Sequence, residues 1–209
     1  MEFLKYFMVA ILGCAVGAAG FWYALRCDAV KCPLVKKYEL QTALRKLWAD
    51  HVIWTRQYIV STIAKLDDSK AALDRLLKNQ EDLGNAIVPF YGADAGKKLA
   101  ELLTEHIVIA GDVVAAAQAN DQEKLKKSDA AWHKNADDIA TFLSGANPHW
   151  PKAALLEMLN MHLMLLIQEL NLRLKKDWVA DVANFDKVFE QALAMGDDLA
   201  NGICKQFGC

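Results

Sequence analysis

The feature that most restricts the fold of this 209-residue chain is a short segment that occurs three times. The copies read LWADHV from Leu47, LLTEHI from Leu102 and MLNMHL from Met158, and each has a histidine at its fifth position. An aspartate follows each histidine by 23 or 24 residues, and an acidic pair with an aliphatic residue comes later. Such internal similarity indicates one supersecondary unit used three times.

Each of the three units is predicted to form two helices. Apolar residues recur at spacings of three and four, and the chain has only 4 prolines, which favours helices throughout. The expected N-caps are Ser69, Asp121 and Asp177, with Pro151 in the first turn of the fifth helix. The hairpins are expected at about 39–91, 94–144 and 151–207. Short connections make consecutive helices antiparallel, so we predict an all-α, six-helix up-down bundle over residues 39–209.

The N-terminal segment predicts a single transmembrane helix. Residues 6–25 carry no charge, and this run has about the twenty residues needed to cross a bilayer. A cleaved signal peptide is the alternative, although its apolar part would be shorter, roughly 7–15 residues. We therefore predict an anchor over residues 1–26, followed by a juxtamembrane linker over residues 27–38.

A small-residue motif in the anchor predicts contacts within the membrane. Gly13 and Gly17 form a GxxxG pattern, which lets another membrane helix approach closely. The expected partners are therefore the lipid bilayer and other membrane or envelope proteins, with a homo-oligomer through the anchor as a further expectation. The formal net charge of -2 and the scattered lysines give no reason to expect nucleic acid as a partner.

The charges and the cysteines favour opposite sides of the membrane for the bundle. The basic residues that follow the anchor favour the cytoplasm by the positive-inside rule; they are Arg26, Lys31, Lys36 and Lys37. Against this, two cysteine pairs have the same spacing, Cys27 with Cys32 and Cys204 with Cys209. These four residues predict two disulfides that tie the C-terminus to the juxtamembrane segment, one four-thiolate zinc site or unpaired thiols. Disulfides would require an oxidising compartment, and we favour an exported bundle.

The repeated histidines are the candidate functional residues. His51, His106 and His162 lie on apolar helix faces at similar distances from their hairpin turns, so the three imidazoles should meet in the core. With Glu169 as a fourth ligand, they could bind a transition-metal ion such as zinc, copper or iron. The alternative is structural, with each histidine bonded across its own hairpin: His51 to Asn79 or Asp82, and His106 to Asn135.

Other polar and aromatic residues give weaker signals. His149 lies between prolines in the long loop after the fourth helix, where binding residues tend to gather, and His133 fits a solvated helix face. We interpret four further residues as core or rim packing; these are Trp54, Arg56, Trp132 and Trp178. The chain contains no Gly-rich phosphate loop and no nucleophile elbow, so the sequence gives no support for a hydrolase or a nucleotide-binding protein.

Several segments of the chain are similar to a known family. They read WTR at 54–56, NQEDLGN at 79–85, PFYG at 89–92, NADDIA at 135–140 and NPHWP at 147–151. Together they resemble a family of small, mainly bacterial helical proteins, over about residues 44–207. The resemblance implies a helical fold and gives no information on an activity. The terminal cysteine pairs lie outside the family's pattern.

The sequence thus favours a membrane-anchored helical module with a structural or protein-interaction role and no catalytic activity. Metal binding by the core histidines is the alternative. A third hypothesis is a small-molecule pocket among the aromatic residues of the first and fourth helices.

Overall fold

The computed structural model describes residues 33–209, and this part of the chain forms six α-helices and no strand. The helices are α1 (Pro33–Ala64), α2 (Ser69–Tyr91), α3 (Ala93–Gln118), α4 (Gln122–Ala146), α5 (Lys152–Lys175) and α6 (Trp178–Phe207). The predicted all-α bundle is therefore confirmed for this range. The predicted anchor with Gly13 and Gly17, and the first cysteine pair, Cys27 and Cys32, lie outside the described residues.

The six helices close into a ring. Each helix packs against the next one along the chain, and α6 returns to pack against α1. Because every short connection reverses the chain, α1, α3 and α5 run in one direction and α2, α4 and α6 in the other. In addition, α1 contacts α3 and α5 across the middle of the ring. The inward faces of the three parallel helices therefore share one core.

Two of the three predicted caps are present. The carboxylate of Asp121 accepts a hydrogen bond from the Lys124 amide (3.0 Å), and that of Asp177 accepts one from the Ala180 amide (3.2 Å). The prediction for Ser69 is wrong, because Asp68 is the N-cap of α2 and Ser69 is its first residue. The Ser69 hydroxyl instead shares a hydrogen bond with the Thr62 hydroxyl (2.8 Å), which ties the start of α2 to the end of α1.

Two helix boundaries differ from the sequence prediction. Helix α1 begins at Pro33 and not near residue 39, so it includes part of the predicted linker. A proline at the first helical position costs no hydrogen bond, since the first amides of a helix have no partner within it. Pro151 is the N-cap of α5 and not a member of its first turn.

Helix α5 is rich in apolar residues along its whole length. Among the described residues it is long and apolar enough to cross a membrane, by length and composition only. Its apolar face contributes Leu159, Leu163 and Leu166 to the core of the ring. A core helix passes the same test, so the result gives only weak evidence on membrane insertion.

Helices α2 and α3 cross closely at a pair of glycines. A Cβ atom on Gly84 would collide with the backbone oxygen of Gly96 and would lie 2.8 Å from the Ala100 Cβ. A Cβ atom on Gly96 would in turn lie 2.7 Å from the Gly84 oxygen. Because glycine has no side chain, the two helix backbones can touch here. Gly84 belongs to the segment NQEDLGN, which is one of those that resemble the helical family.

We expect Gly84→Ala to lower the free energy of unfolding by about 1–3 kcal/mol, because the added methyl group must push two backbones apart. Urea unfolding of the full chain in detergent micelles, followed by circular dichroism, measures this. Gly145→Ala is the matched control, since nothing lies within 4 Å of a Cβ at that position. Equal stability of the two variants would contradict the close crossing.

Candidate functional site

The three repeated histidines lie in the interior of the ring. Their exposed fractions are 2% for His51, 4% for His106 and 2% for His162. They belong to α1, α3 and α5, the three helices that run in parallel and meet across the middle. Polar side chains at such depth require hydrogen-bond partners, and the neighbouring helices supply one to His106 and one to His162.

In the second hairpin the partner of the histidine is an asparagine. His106 Nδ1 lies 2.7 Å from Asn135 Oδ1, and Asn135 Nδ2 donates to the backbone oxygen of Leu102 (3.1 Å). Because Asn135 Nδ2 donates to the Leu102 oxygen, the atom of Asn135 that faces the imidazole is Oδ1, which can only accept a hydrogen bond. His106 Nδ1 therefore carries the proton and donates it, which leaves a lone pair on Nε2.

The third hairpin repeats this arrangement with a glutamine. His162 Nδ1 lies 2.9 Å from Gln191 Oε1, and Gln191 Nε2 donates to the Met158 oxygen (3.1 Å). Both imidazole–amide pairs are separated by 29 residues, and both acceptor carbonyls belong to the residue that opens the repeated segment. We call this unit the amide clasp: an amide on the second helix that bonds both a histidine and a carbonyl of the first.

The first hairpin keeps only part of the amide clasp. Asn79 Nδ2 donates to the Leu47 oxygen (2.9 Å), which corresponds to the Leu102 and Met158 contacts. The amides of Asn79 and Gln80 lie beside the His51 ring, yet His51 Nδ1 has no partner at bonding distance within residues 33–209. Gln80 Nε2 bonds the Leu76 oxygen (2.6 Å) instead. The predicted bond from His106 to Asn135 is thus present, whereas His51 bonds neither Asn79 nor Asp82.

Burial keeps all three imidazoles neutral. Desolvation lowers the pKa of His51 and of His106 to about 3, and that of His162 to about 4, from the ordinary value of 6.5. For His51 the next cause is repulsion from His162. A neutral imidazole can act as a hydrogen-bonded core residue or as a metal ligand, so protonation state does not separate the two hypotheses.

The rings do not form a three-ligand cluster. His51 and His162 are close, with ring centroids 5.7 Å apart, whereas His106 packs against Trp132 at 5.3 Å. Among the described residues no group of three or more histidine, cysteine, aspartate or glutamate side chains is placed to hold a metal ion. All three rings therefore lie in one part of the core, since His51 and His106 line the same small cavity, but they are not arranged as a set of metal ligands.

Glu169, the predicted fourth ligand, belongs to a buried ion-pair network. Arg56 donates to Glu169 (2.7 Å) and, through two nitrogens, to Asp181 (3.1 and 2.7 Å). Arg173 adds a further bond to Asp181 (3.1 Å). The network joins α1, α5 and α6, and its two carboxylates are fully buried. Breaking a buried pair by removing one partner is costly, so these contacts fix the relative positions of the three helices.

Sequence reasoning had missed this network. It assigned Arg56 to packing and did not single out Asp181. The available signal was Glu169 itself, because a carboxylate on an apolar helix face requires a cationic partner. Burial raises the pKa of Glu169 to about 7, and the attraction of Arg56 works against that rise.

The C-terminal cysteines pair locally. Cys204 and Cys209 lie at disulfide distance, with Cα atoms 4.6 Å apart. Gly208, with φ of 76°, turns the chain back at the end of α6 and so allows this contact. A local pair uses both sulfurs, so it takes the place of the expected disulfide or zinc links from these cysteines to Cys27 and Cys32, which lie outside the described residues.

The core has little free space. One cavity, lined by His51, His106, Tyr58 and Trp132 among others, has a volume of about 20 Å³. A second cavity, beside Trp48 and Trp150, is equally small. Each volume suffices for about one water molecule. The space among the aromatics of α1 and α4 is therefore too small for an organic ligand.

A scan against protein-family models, a search of the curated proteins and a search of the solved structures found no match for this chain. The resemblance to a helical family therefore stays a prediction.

The buried histidines and Glu169 should give stability opposite dependences on pH. Histidines with a lowered folded-state pKa contribute fully above pH 6.5, and this contribution is lost as the pH falls toward 4. Glu169, with a raised pKa, contributes fully below pH 4.5, and its contribution is lost as the pH rises toward 7. Three histidines outweigh one glutamate, so we expect the melting temperature of the full chain in detergent to fall between pH 7 and pH 5.

Glu169→Gln should make that fall steeper, because it removes the opposing group. Glu157→Gln, at an exposed position of the same helix, should leave the slope unchanged. A melting temperature that is constant between pH 7 and pH 5 would contradict the buried neutral histidines.

Proposed function

We propose that this chain is a membrane-anchored helical module that binds another protein and has no catalytic activity. The amide clasps and the ion-pair network support a structural role for the buried polar groups, since they bond mainly to one another. The small core cavities offer no space for a substrate. Residues 6–25, by their length and lack of charge, support the anchor.

The observation that carries the proposal is an exposed apolar patch at the start of α6. Its members are Trp178, Val179 and Val182, with exposed fractions of 50%, 84% and 58%. Of the two positions expected for Trp178, the core is excluded and the rim is compatible with the structure, because half of the side chain faces solvent. Contiguous exposed apolar residues mark interaction sites, and tryptophan is enriched among residues that dominate binding energy.

The indole of Trp178 is held in place on the surface. The Arg173 guanidinium lies 4.7 Å from the ring centroid, and Arg173 is itself fixed by Asp181. A side chain that is already immobilised loses less entropy on binding. The start of α6 lies beside the end of α1, as the contact between Arg56 and Asp181 requires. The patch is thus at the end of the ring opposite to the start of α1, where residues 1–32 join.

A photo-cross-linking residue at position 179 of the full chain tests the proposal in membranes washed with alkaline carbonate. We expect a discrete adduct with another protein. Val182→Asp should lower the yield of this adduct about tenfold, which corresponds to a loss of about 1.4 kcal/mol of binding energy. The same cross-linker at Glu101, an exposed residue of α3, is the control and should give no such adduct. Identical adducts from both positions would contradict the patch, and recovery of the chain in the wash without residues 1–14 would contradict the anchor.

Metal binding by the core histidines is the second candidate. The observation in its favour is His162 Nε2, which is buried without a hydrogen-bond partner in the described range, with the His51 ring 5.7 Å away. Its Nδ1 is bonded to an amide oxygen, and ligating histidines commonly donate their other ring proton to such an acceptor. Two imidazoles would then be supplied by α1 and α5.

Metal analysis of the purified full chain distinguishes the two candidates. Metal binding predicts a stoichiometric ion that is lost in the variant with both His51→Ala and His162→Ala and kept in His133→Ala, which changes an exposed histidine. A structural role predicts no stoichiometric metal in the wild type, the double variant or His133→Ala. It also predicts a lower melting temperature for the double variant only.

A further inference from the structure

A groove of about 450 Å³ lies between the start of α5 and the end of α6. Its floor is apolar and contains Trp150, Leu155 and Met158. Its rim is polar and includes His149, Asp198 and Lys205. Ligand sites commonly have this size and this combination of an apolar floor with a few polar groups. The sequence had drawn attention to His149 and Trp150 but not to the part of α6 that faces them.

The groove is preformed, because its loop is held by specific contacts. Trp150 packs directly on Gly202, where any Cβ atom would collide with the indole. Asn147 accepts a hydrogen bond from the His149 amide (2.8 Å) and donates one to the Tyr91 hydroxyl (2.8 Å). The loop between α4 and α5 is therefore tied to both α2 and α6.

The rim carries one charge of each sign. Lys205 and Asp198 are exposed, and neither takes part in an ion pair within the described part of the chain. Seven residues separate them on α6, which places both on one face of the helix, about 10 Å apart along its axis. A ligand with a phosphate and an ammonium group beside an apolar portion would complement this rim and floor. The headgroup of phosphatidylethanolamine has that chemistry.

The place of the groove in the fold favours a bilayer as the source of such a ligand. Gln41 near the start of α1 bonds Asp197 near the end of α6 (2.8 Å), so residues 1–32 join the ring at the same end as the groove. Only residues 26–32 separate the uncharged run from α1. Seven residues span at most about 25 Å, so an anchored chain holds this end of the ring near the membrane surface.

Aromatic residues beside the groove point in the same direction. Phe207, 46% exposed, packs against Phe90 and Tyr91 with ring centroids 5.6 and 5.2 Å apart. Tyr91 in turn contacts Trp150 (5.7 Å). Tryptophan and tyrosine are enriched at the level of lipid headgroups, and Tyr91 is a partly exposed member of this group. The groove thus opens beside a surface whose composition fits a membrane interface.

We propose that the groove between α5 and α6 binds a phosphatidylethanolamine headgroup of the adjacent bilayer. Lys205 contacts the phosphate, Asp198 contacts the ammonium group, and the beginning of an acyl chain lies over Trp150 and Met158. The proposal rests on the proposed membrane anchoring of the chain. It adds a lipid site at the end of the ring opposite to the protein-binding patch.

The test uses the full chain in vesicles of phosphatidylethanolamine and phosphatidylglycerol, with a trace of phosphatidylethanolamine that carries a photoactivatable acyl chain. Mass spectrometry of the cross-linked peptides should place lipid on residues 149–158 and 198–205. Lys205→Glu should lower this yield about fivefold, the effect of one exposed ion pair. Ala154→Trp, which fills the groove, should abolish it. Asp198→Asn should shift the preference toward photoactivatable phosphatidylglycerol, because only the ammonium group needs the carboxylate.

Two matched controls make the result specific. Ala153→Trp adds the same side chain one position away, outside the groove lining, and Lys98→Glu reverses an exposed lysine on α3. Both should keep the wild-type yield. Cross-links confined to residues 6–25, or equal losses in variants and controls, would overturn the lipid site while leaving the anchor intact. A chain that carries no cross-link and does not float with the vesicles would overturn the anchor as well.

Discussion

The fold depends on one constraint, the cost of placing polar side chains where water does not reach. An unpaired buried polar group costs about 1–3 kcal/mol, and three histidines face the core of this ring. In the second and third hairpins the amide clasp satisfies the Nδ1 atom of the histidine with a single side chain, which bonds both the imidazole and a backbone oxygen. The same contact fixes the axial position of the second helix of the hairpin relative to the first.

The first hairpin differs from the other two in this respect. His51 lacks the clasp at Nδ1, and its helix instead supplies Arg56 to a network with Glu169 and Asp181. Helix α1 is thereby attached to α5 and α6 by charge, and the ion pair of Arg173 with Asp181 adds to the amide clasp between α5 and α6. Helix α1 is also the helix that follows the N-terminal residues. The ion pairs that close the ring are therefore made by the helix that would connect the ring to a membrane anchor.

The two ends of the ring have different chemistry. One end, where α1 starts and α6 ends, carries the aromatic cluster of Phe90, Tyr91 and Phe207 and the groove beside Trp150. The other end carries Trp178, Val179 and Val182 on its surface. This difference between the two ends is the basis of our proposal that one end faces a bilayer and the other a partner protein.

The sequence by itself determined the helices, the three hairpins, the caps at Asp121 and Asp177 and the inward direction of the histidines. Periodicity and capping act within a few residues, so a linear pattern contains them. Only the tertiary structure decided that Arg56 meets Asp181, that Gln191 takes the place of Asn135, that Trp178 faces solvent and that Cys204 pairs with Cys209. Most of these outcomes depend on the register between helices far apart in the chain, which is set by the packing of all six around one core, and the local cysteine pair depends on the turn at Gly208.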